Sequence, residues 1–473
     1  MLTRPAHRAP DRRAVVIGSG LAGMLTAAAL ADHAQVTLLE RDRLPEAPAP
    51  RKGLPQARHA HLLWSGGVRA IEGILPGITE HWIRAGARRI PLPTGLVSLS
   101  AQGWLRRWPE MQYLIACSRD LLDSVVREQI LHLDITARDG VEAVGLIGSP
   151  RNVTGVRIRN VATGQLEDLD ADLVVDAGGR GSAAPKWLAG LGIPAPHEKT
   201  VDSGLTYATR VFRAPVGTDN FPVVNVQADA RQPVPGRTAT LVPIENGRWL
   251  VTLSGTRGGN PPKDNAQFEQ FARSEVRHPI VADLIAAAEP LTDVQVTHST
   301  VNRRRHFEQL GSWPAGFIVL GDAVATYNPI YGQGMSVAAQ SAAALRDAVR
   351  SRGLGDRNLA RVIQKAIGRL VKGPWELATG QDILYPGAVG PQPPVAARLL
   401  RGYMDRLMRT ATGRAATCHA LLDTMTLSAP ISRLLAPTVA IGVLRGPRLD
   451  PPAEPPLTAA EMKRAGLGLP STA

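Results

Sequence analysis

Apolar residues follow two rhythms along this 473-residue chain. Near the start, AVVIG (14–18) is a continuous apolar run closed by glycine, the pattern of a strand buried on both faces. LAGMLTAAALADH (21–33) then spaces small and apolar residues helically, and QVTLLE (35–40) predicts a second strand, so the segment predicts a βαβ unit. Helices are expected over 64–75 and 118–130, the latter with Ser118 as N-cap. Residues 134–176 alternate in strand fashion, and FIVL (317–320) predicts another buried strand leading into a helix to about 350. Between roughly 200 and 300 the rhythm is period two: LTYATRVFR, FPVVNVQAD, RTATLVPI and GRWLVTLSGT predict an antiparallel sheet forming a separate lobe. Residues 85–115 mix Pro, Trp and Arg without a clear period. From 360 onward the pattern is helical, with a Pro-rich tail at 447–473.

Composition narrows the partners. The chain is 44% hydrophobic and 20% charged, as a globular protein of two or three units should be. A net charge of +13 suggests a polyanion, but the arginines are scattered and only seven of the basic residues are lysine, so no nucleic-acid partner is expected. Cys117 and Cys418 provide neither a disulfide framework nor a cysteine-rich metal site, and no metal is expected. No signal-peptide apolar region follows the charged start, and the apolar run at 434–444 is too short to span a bilayer. The expectation is a cytoplasmic protein without a membrane anchor.

The chemistry lies in the turns after the buried strands. Gly18-Ser19-Gly20-Leu21-Ala22-Gly23 is G-x-G-x-x-G placed between a strand and a helix. Gly18 suits the tight turn, Gly20 the approach of a pyrophosphate and Gly23 close helix packing, while the helix N-terminus faces the anion. Glu40, about 20 residues on, can accept from a ribose hydroxyl and disfavours a 2′-phosphate. Gly321-Asp322-Ala323, then Pro329 and Gly332-Gln333-Gly334-Met335, make a second nucleotide element that NAD does not need. Asp322 can accept from a ribityl hydroxyl, and Gly332 and Gly334 let backbone approach a flat ring. The expected cofactor is FAD. Arg119 opens a helix and can reach a pyrophosphate. Asp176 to Ser182 reads DAGGRGS. Arg119 and Arg180, each alone, would read as surface arginines. RKGLPQARHAH (51–61) carries three cations and two histidines. Without a third ligand near His59 and His61 it predicts a loop over the cofactor rather than a metal site.

Taken together, GSGLAG, LLERD, CSRDLLD, VVDAGGRGS and GDAVATYNPIYGQGM resemble the FAD-dependent monooxygenase superfamily of aromatic hydroxylases and squalene epoxidase. RKGLPQARHAHLLWSGG and NPIYGQGMS resemble, closer still, the bacterial polyether-ionophore epoxidases of the monensin and lasalocid type. The resemblance covers residues 14 to about 350. It implies a Rossmann-like FAD-binding α/β domain with an inserted antiparallel substrate sheet and a helical C-terminal region. The implied boundaries are 1–84, 116–200 and 300–355 for the FAD domain, 85–115 and 201–299 for the substrate domain, and 356–473 for the helices. By position, Gly18, Ser19, Gly20, Ala22 and Gly23 would hold the pyrophosphate, and Glu40, Arg41 and the backbone of Val144 the adenosine end. Arg51, Gln56, Arg119, Gly321, Asp322, Pro329, Gly332, Gly334 and Met335 complete the implied FAD set. Arg58 and His59 would lie by the reacting ring. The implied reaction passes one oxygen atom of dioxygen, by way of a flavin C4a-hydroperoxide, to alkenes of a linear polyene polyketide. NADPH or NADH would supply electrons, directly or through a separate flavin reductase, since no second G-x-G-x-x-G is present. Trp104, Tyr207, Phe212, Asn225, Trp249 and Pro329 are the pocket candidates, each with core packing as its plainer reading. An aromatic hydroxylase shares every FAD motif and a reductase remains open. A halogenase would need W-x-W-x-I-P, which Trp104-Leu105-Arg106-Arg107-Trp108-Pro109 does not match.

Overall fold

The computed structural model describes residues 11–468 except 46, 52, 54, 299, 393 and 394, and the backbone alone of 55, 56 and 395–399. Its base is a five-stranded parallel sheet in the order Phe317–Val319, Leu173–Asp176, Arg13–Ile17, Gln35–Leu39, Ile135–Arg138. The apolar runs that predicted buried strands are buried in full: Val16, Val174, Val175, Ile318 and Val319 are inaccessible to solvent. Chain order reverses between Arg13–Ile17 and Leu173–Asp176, which opens a crevice at the strand ends. The GSGLAG, DAGGRGS and GDA turns all lie there. A meander of Val141–Ser149, Asn152–Asn160 and Leu166–Asp170 grows beside it.

The second sheet has eight strands. It runs Glu289–Pro290, Thr206–Arg213, Arg248–Gly255, Arg237–Ile244, Val223–Val226, Leu96–Ser100, Gly103–Trp104, with Gln295–Thr297 also on Thr206–Arg213. The period-two alternation gives it two unlike faces. On the rear face Ala208, Phe212, Leu241, Trp249, Val251 and Leu253 pack with Phe268, Phe271 and Leu284. Those last three come from helices Asn265–Ser274 and Ile280–Ala286, inside a stretch expected to be strand alone. Phe268, Phe271 and Ala272 at helical spacing behind the N-cap Asp264 are the signal that was passed over. The aperiodic 85–115 stretch divides between this sheet and a small one of Leu62–Trp64, Gln112–Ala116 and Arg88–Leu92.

Past the boundary expected at 356, two helices stay with the parallel sheet. Helix Leu359–Leu370 packs on the parallel sheet, where Gln364 Oε1 accepts from the Val319 N–H at 3.0 Å, and Lys372–Asp382 continues that layer. Only beyond 382 does the chain leave for the front face of the second sheet. Helices Val395–Gly413, Ala415–Met425 and Pro437–Arg445 pack there on Val223, Val242 and Leu250. The Pro-rich tail then passes to the rear face. It forms a short helix, Ala459–Arg464, with a Thr458/Glu461 capping box. Leu457, Ala465 and Leu467 join the rear core, and Arg107 clasps Glu461 with two bonds of 2.6 and 2.8 Å. Among the described residues no helix is long and apolar enough to cross a membrane, and no cluster of three potential metal ligands occurs.

Candidate active site

The first turn is built for a phosphate. Gly18 has φ +92°, and a side chain there would meet the Ala177 carbonyl at 2.8 Å. A Cβ at Gly23 would lie 1.7 Å from the Gly18 carbonyl, so only glycine lets the helix start this close to its strand. Around the Cβ position of Gly20, by contrast, nothing lies within 4 Å, which leaves an open approach to the Leu21–Leu30 helix N-terminus. Glu40 braces the turn: its Oε2 accepts from Ser19 N–H at 3.0 Å and Ser19 Oγ at 2.7 Å, its Oε1 from Asp42 N–H at 3.0 Å. Burial pushes the Glu40 pKa up, but these bonds and Arg51 hold it below the ordinary value. Arg51 bonds Glu40 at 2.5 Å and the Ser19 carbonyl at 2.9 Å, so it braces the dinucleotide turn. Arg41 is exposed and faces Asp42 at 3.8 Å, so its side chain does not enter the cradle. The strand carrying Val144 starts beside the turn, where the Val141 N–H bonds the Glu40 carbonyl at 3.0 Å, and its ladder with Asn152–Asn160 skips Val144.

The second element closes on the first. Gly321 has φ +65°, and a Cβ there would touch the Ala22 methyl at 2.9 Å. Asp322 is pushed up in pKa by burial and pulled down by Arg119, Arg180 and Arg303. Arg303, in the run Asn302–Arg305, was not singled out from the sequence, although three consecutive arginines in a short strand were its visible signal. Arg119 is itself buried and bonds Asp123 at 2.8 Å. Pro329 opens a short 3₁₀ turn capped by Asn328, Gly332 has φ +63° against the Trp64 ring, and Gly334 and Met335 start the Gly334–Arg352 helix. Gln333 Oε1 beside them is a buried acceptor with no protein partner, a group that a ring N–H can satisfy. The donors, the glycine cradle and this acceptor fit FAD.

The 51–61 loop lies along one cross-strand row of the second sheet. Register aligns Gln295, Thr209, Thr252, Thr240, Asn225 and Ser98 across six strands. Three consecutive loop residues bond three consecutive rungs. Arg58 donates to Gln295 Oε1 at 2.6 Å, His59 Nδ1 meets Thr209 Oγ1 at 2.7 Å, and the Ala60 N–H donates to Thr252 Oγ1 at 3.2 Å. Burial, with Arg58 beside it, lowers the His59 pKa to about 4, so this imidazole is neutral at pH 7. The Gln56 side chain lies outside the described residues. Tyr207 lies one row along and Asn225 on the row itself, both on this front face. Trp104, Phe212 and Trp249 do not reach it: pleating turns them to the rear core, where they are packing residues. On the front face Trp64 and Val211 pack against the front core together with Tyr403, Met404, Met408 and Met425, all partly buried; the last four come from C-terminal helices that the sequence did not tie to the site.

A phosphate cradle at a parallel-sheet crevice, joined by one loop to the face of a second sheet, defines a flavoprotein of the aromatic-hydroxylase fold. Residues 11–351 match the family described as FAD binding domain, and the chain belongs to it, as an FAD-dependent monooxygenase. It is 32% identical over 396 residues to protein Rv3254 of Mycobacterium tuberculosis, covering 80% of this chain and 81% of that protein. To kynurenine 3-monooxygenase of Salinispora arenicola it is 28% identical over 345 residues, 69% and 70% of the two chains. Among solved structures, the flavin-dependent brominase Bmp2 aligns with a TM-score of 0.65 at 14% identity, over 92% of this chain and 97% of that one. PqsL of Pseudomonas aeruginosa in complex with 2-aminobenzoylacetate aligns at 0.57 and 18% identity, over 79% and 98%. These two likenesses are of fold.

Proposed function

We propose that the protein epoxidises an alkene of a flexible, largely apolar substrate such as a linear polyene. What supports this reading is the apolar packing on the front face of the sheet, to which Met404, Met408 and Met425 of the C-terminal helices contribute, each partly buried. Unbranched thioethers adapt to a mobile chain without a fixed shape, and they bring no charge to be desolvated. FAD, bound and reduced, supplies the activation of dioxygen. The chain's own residues hold the cofactor at Ser19, Glu40 and Asp322, orient the alkene against the Thr209–Thr252 row, and keep water from the ring edge. Neutral His59 holds its Nδ1 on Thr209, so it offers no proton at pH 7 to promote loss of peroxide.

A second reading is hydroxylation of an aromatic ring. It is favoured by the likeness to kynurenine 3-monooxygenase and by the hydroxyl and amide groups of Thr240, Asn225 and Ser98, which suit polar ring substituents. Electrons would come from NADPH or NADH, directly or through a reductase. The test uses purified protein, FAD, each reductant with and without a flavin reductase, oxygen-18 gas, and either a trisubstituted alkene or an aminophenyl ketone. Labelled epoxide is the expected product. Labelled ring hydroxyl assigns the second reading, and reductant-dependent peroxide with neither product rejects both.

A further inference from the structure

The Asn328–Gln333 loop is held from behind by a residue outside the matched FAD-binding region. Asp382 ends the Lys372–Asp382 helix and is 1% exposed. Its Oδ2 accepts from Asn302 Nδ2 at 2.6 Å and from Asn328 Nδ2 at 2.8 Å, and its Oδ1 accepts from the Tyr331 hydroxyl at 2.7 Å. Asn328 is engaged on every side: its N–H donates to Asn302 Oδ1 at 2.7 Å, and its Oδ1 accepts from the Tyr207 hydroxyl at 2.8 Å and the Ile330 N–H at 3.1 Å. Both asparagine N–H₂ groups donate to one Asp382 oxygen, which fixes it as an acceptor, while the Tyr331 hydroxyl is the partner of the other. One carboxyl group, its pKa pushed up by burial and pulled down by these donors, thus ties together the strand Asn302–Arg305, the Asn328–Gln333 loop and, through Asn328, Tyr207.

We propose that Asp382 is a positioning residue for the flavin, locking the Asn328–Gln333 loop to Tyr207 and setting a fixed negative charge behind the ring edge. The proposal rests on FAD being the cofactor. A reduced flavin carries negative charge at the edge nearest this loop, and a buried carboxylate behind it disfavours that charge. Asp382 therefore makes the flavin harder to reduce and easier to reoxidise, while fixing the side from which Tyr207 meets the substrate.

The test compares wild type with Asp382→Asn by FAD titration and by midpoint potential. The amide can keep both asparagine N–H₂ groups on its oxygen and give its own N–H₂ to the Tyr331 hydroxyl, so oxidised FAD should bind within about threefold of wild type. The lost charge should raise the ratio of reduced to oxidised FAD affinity about tenfold, a shift of the potential to less negative values. A packing role alone would weaken both redox states equally, so an unmoved potential overturns the proposal. Tyr331→Phe covers the case in which Asp382→Asn does not fold. It keeps the charge and removes one tie, so FAD should bind about threefold more weakly with no rise in potential. Unchanged binding, or a rise, overturns it. Wild type that takes up no FAD overturns the flavin assignment itself, whereas normal wild-type uptake with an unaltered Asp382→Asn overturns the role of Asp382 alone.

Discussion

The two faces of the eight-stranded sheet come from the same strands and do opposite work. On Thr206–Arg213, Ala208 and Phe212 point into a sealed apolar core, while Tyr207 and Thr209 point to the flavin loop. On Arg248–Gly255, Trp249, Val251 and Leu253 face the rear, and Thr252 and Ser254 face the front. Phe212 and Trp249 thus hold the lobe together from the rear, while the hydroxyls of Thr209, Thr252 and Ser254 lie with Tyr207 on the other face.

This contrast can be broken by substitution. Trp249→Ala should cost about 3–5 kcal/mol of stability in urea unfolding, with the KM of the folded fraction unchanged. A KM that moves with stability intact would place Trp249 in the site after all. Acid should act on the front face through His59, buried and depressed from 6.5 to about 4. At pH 7 both folded and unfolded states are neutral there. Below 6.5 the unfolded chain takes up a proton that the folded one refuses until near pH 4, so stability falls as pH drops through that window. At about 1.4 kcal/mol per pKa unit the loss is roughly 3 kcal/mol. His59→Gln should remove that component of the pH dependence; an unchanged slope would mean that His59 is not held neutral. Thr209→Val strips the His59 partner at nearly constant volume, with about 1–2 kcal/mol lost and a larger share of reductant diverted to peroxide. Equal coupling in variant and wild type would reduce the row to scaffolding. The smallest effect belongs to Asn225→Ala, within about 0.5 kcal/mol in stability, but with KM raised several-fold if the free end of the row touches substrate.

Legibility followed the kind of constraint. Gly18, Gly23, Gly321 and Gly332 were readable because a turn or a close approach admits nothing larger, and local geometry leaves a local signature. Period two disclosed the strands of the lobe but not which phase faced inward, because phase depends on what packs against the sheet. That is why Trp104, Phe212 and Trp249 were expected in the pocket while Thr209 and Thr252 were overlooked. Arg51 was expected in the FAD set from its place in the loop, but its brace on Ser19, through a pairing with Glu40 across 11 residues, is not readable from spacing. Asp382, Met404 and Met425 carry no motif. They reach the site through tertiary packing from segments that sequence spacing alone does not connect with it.

The tail that crosses from the front cap to the rear core has a consequence for how the lobe is made. Phe268, Trp249 and Leu253 belong to a core that is complete only once Leu457, Ala465 and Leu467 have joined it. On a ribosome the strands at 206–255 emerge some 200 residues before those closing residues. For that interval the front face lacks its C-terminal helices and the rear core, though reached early by Asn265–Ser274 and Ile280–Ala286, lacks its closing residues, an invitation to pair with other chains. Holdase chaperones should therefore engage the nascent chain most strongly while residues 256–450 are being added, and release it once the Arg107–Glu461 clasp can form.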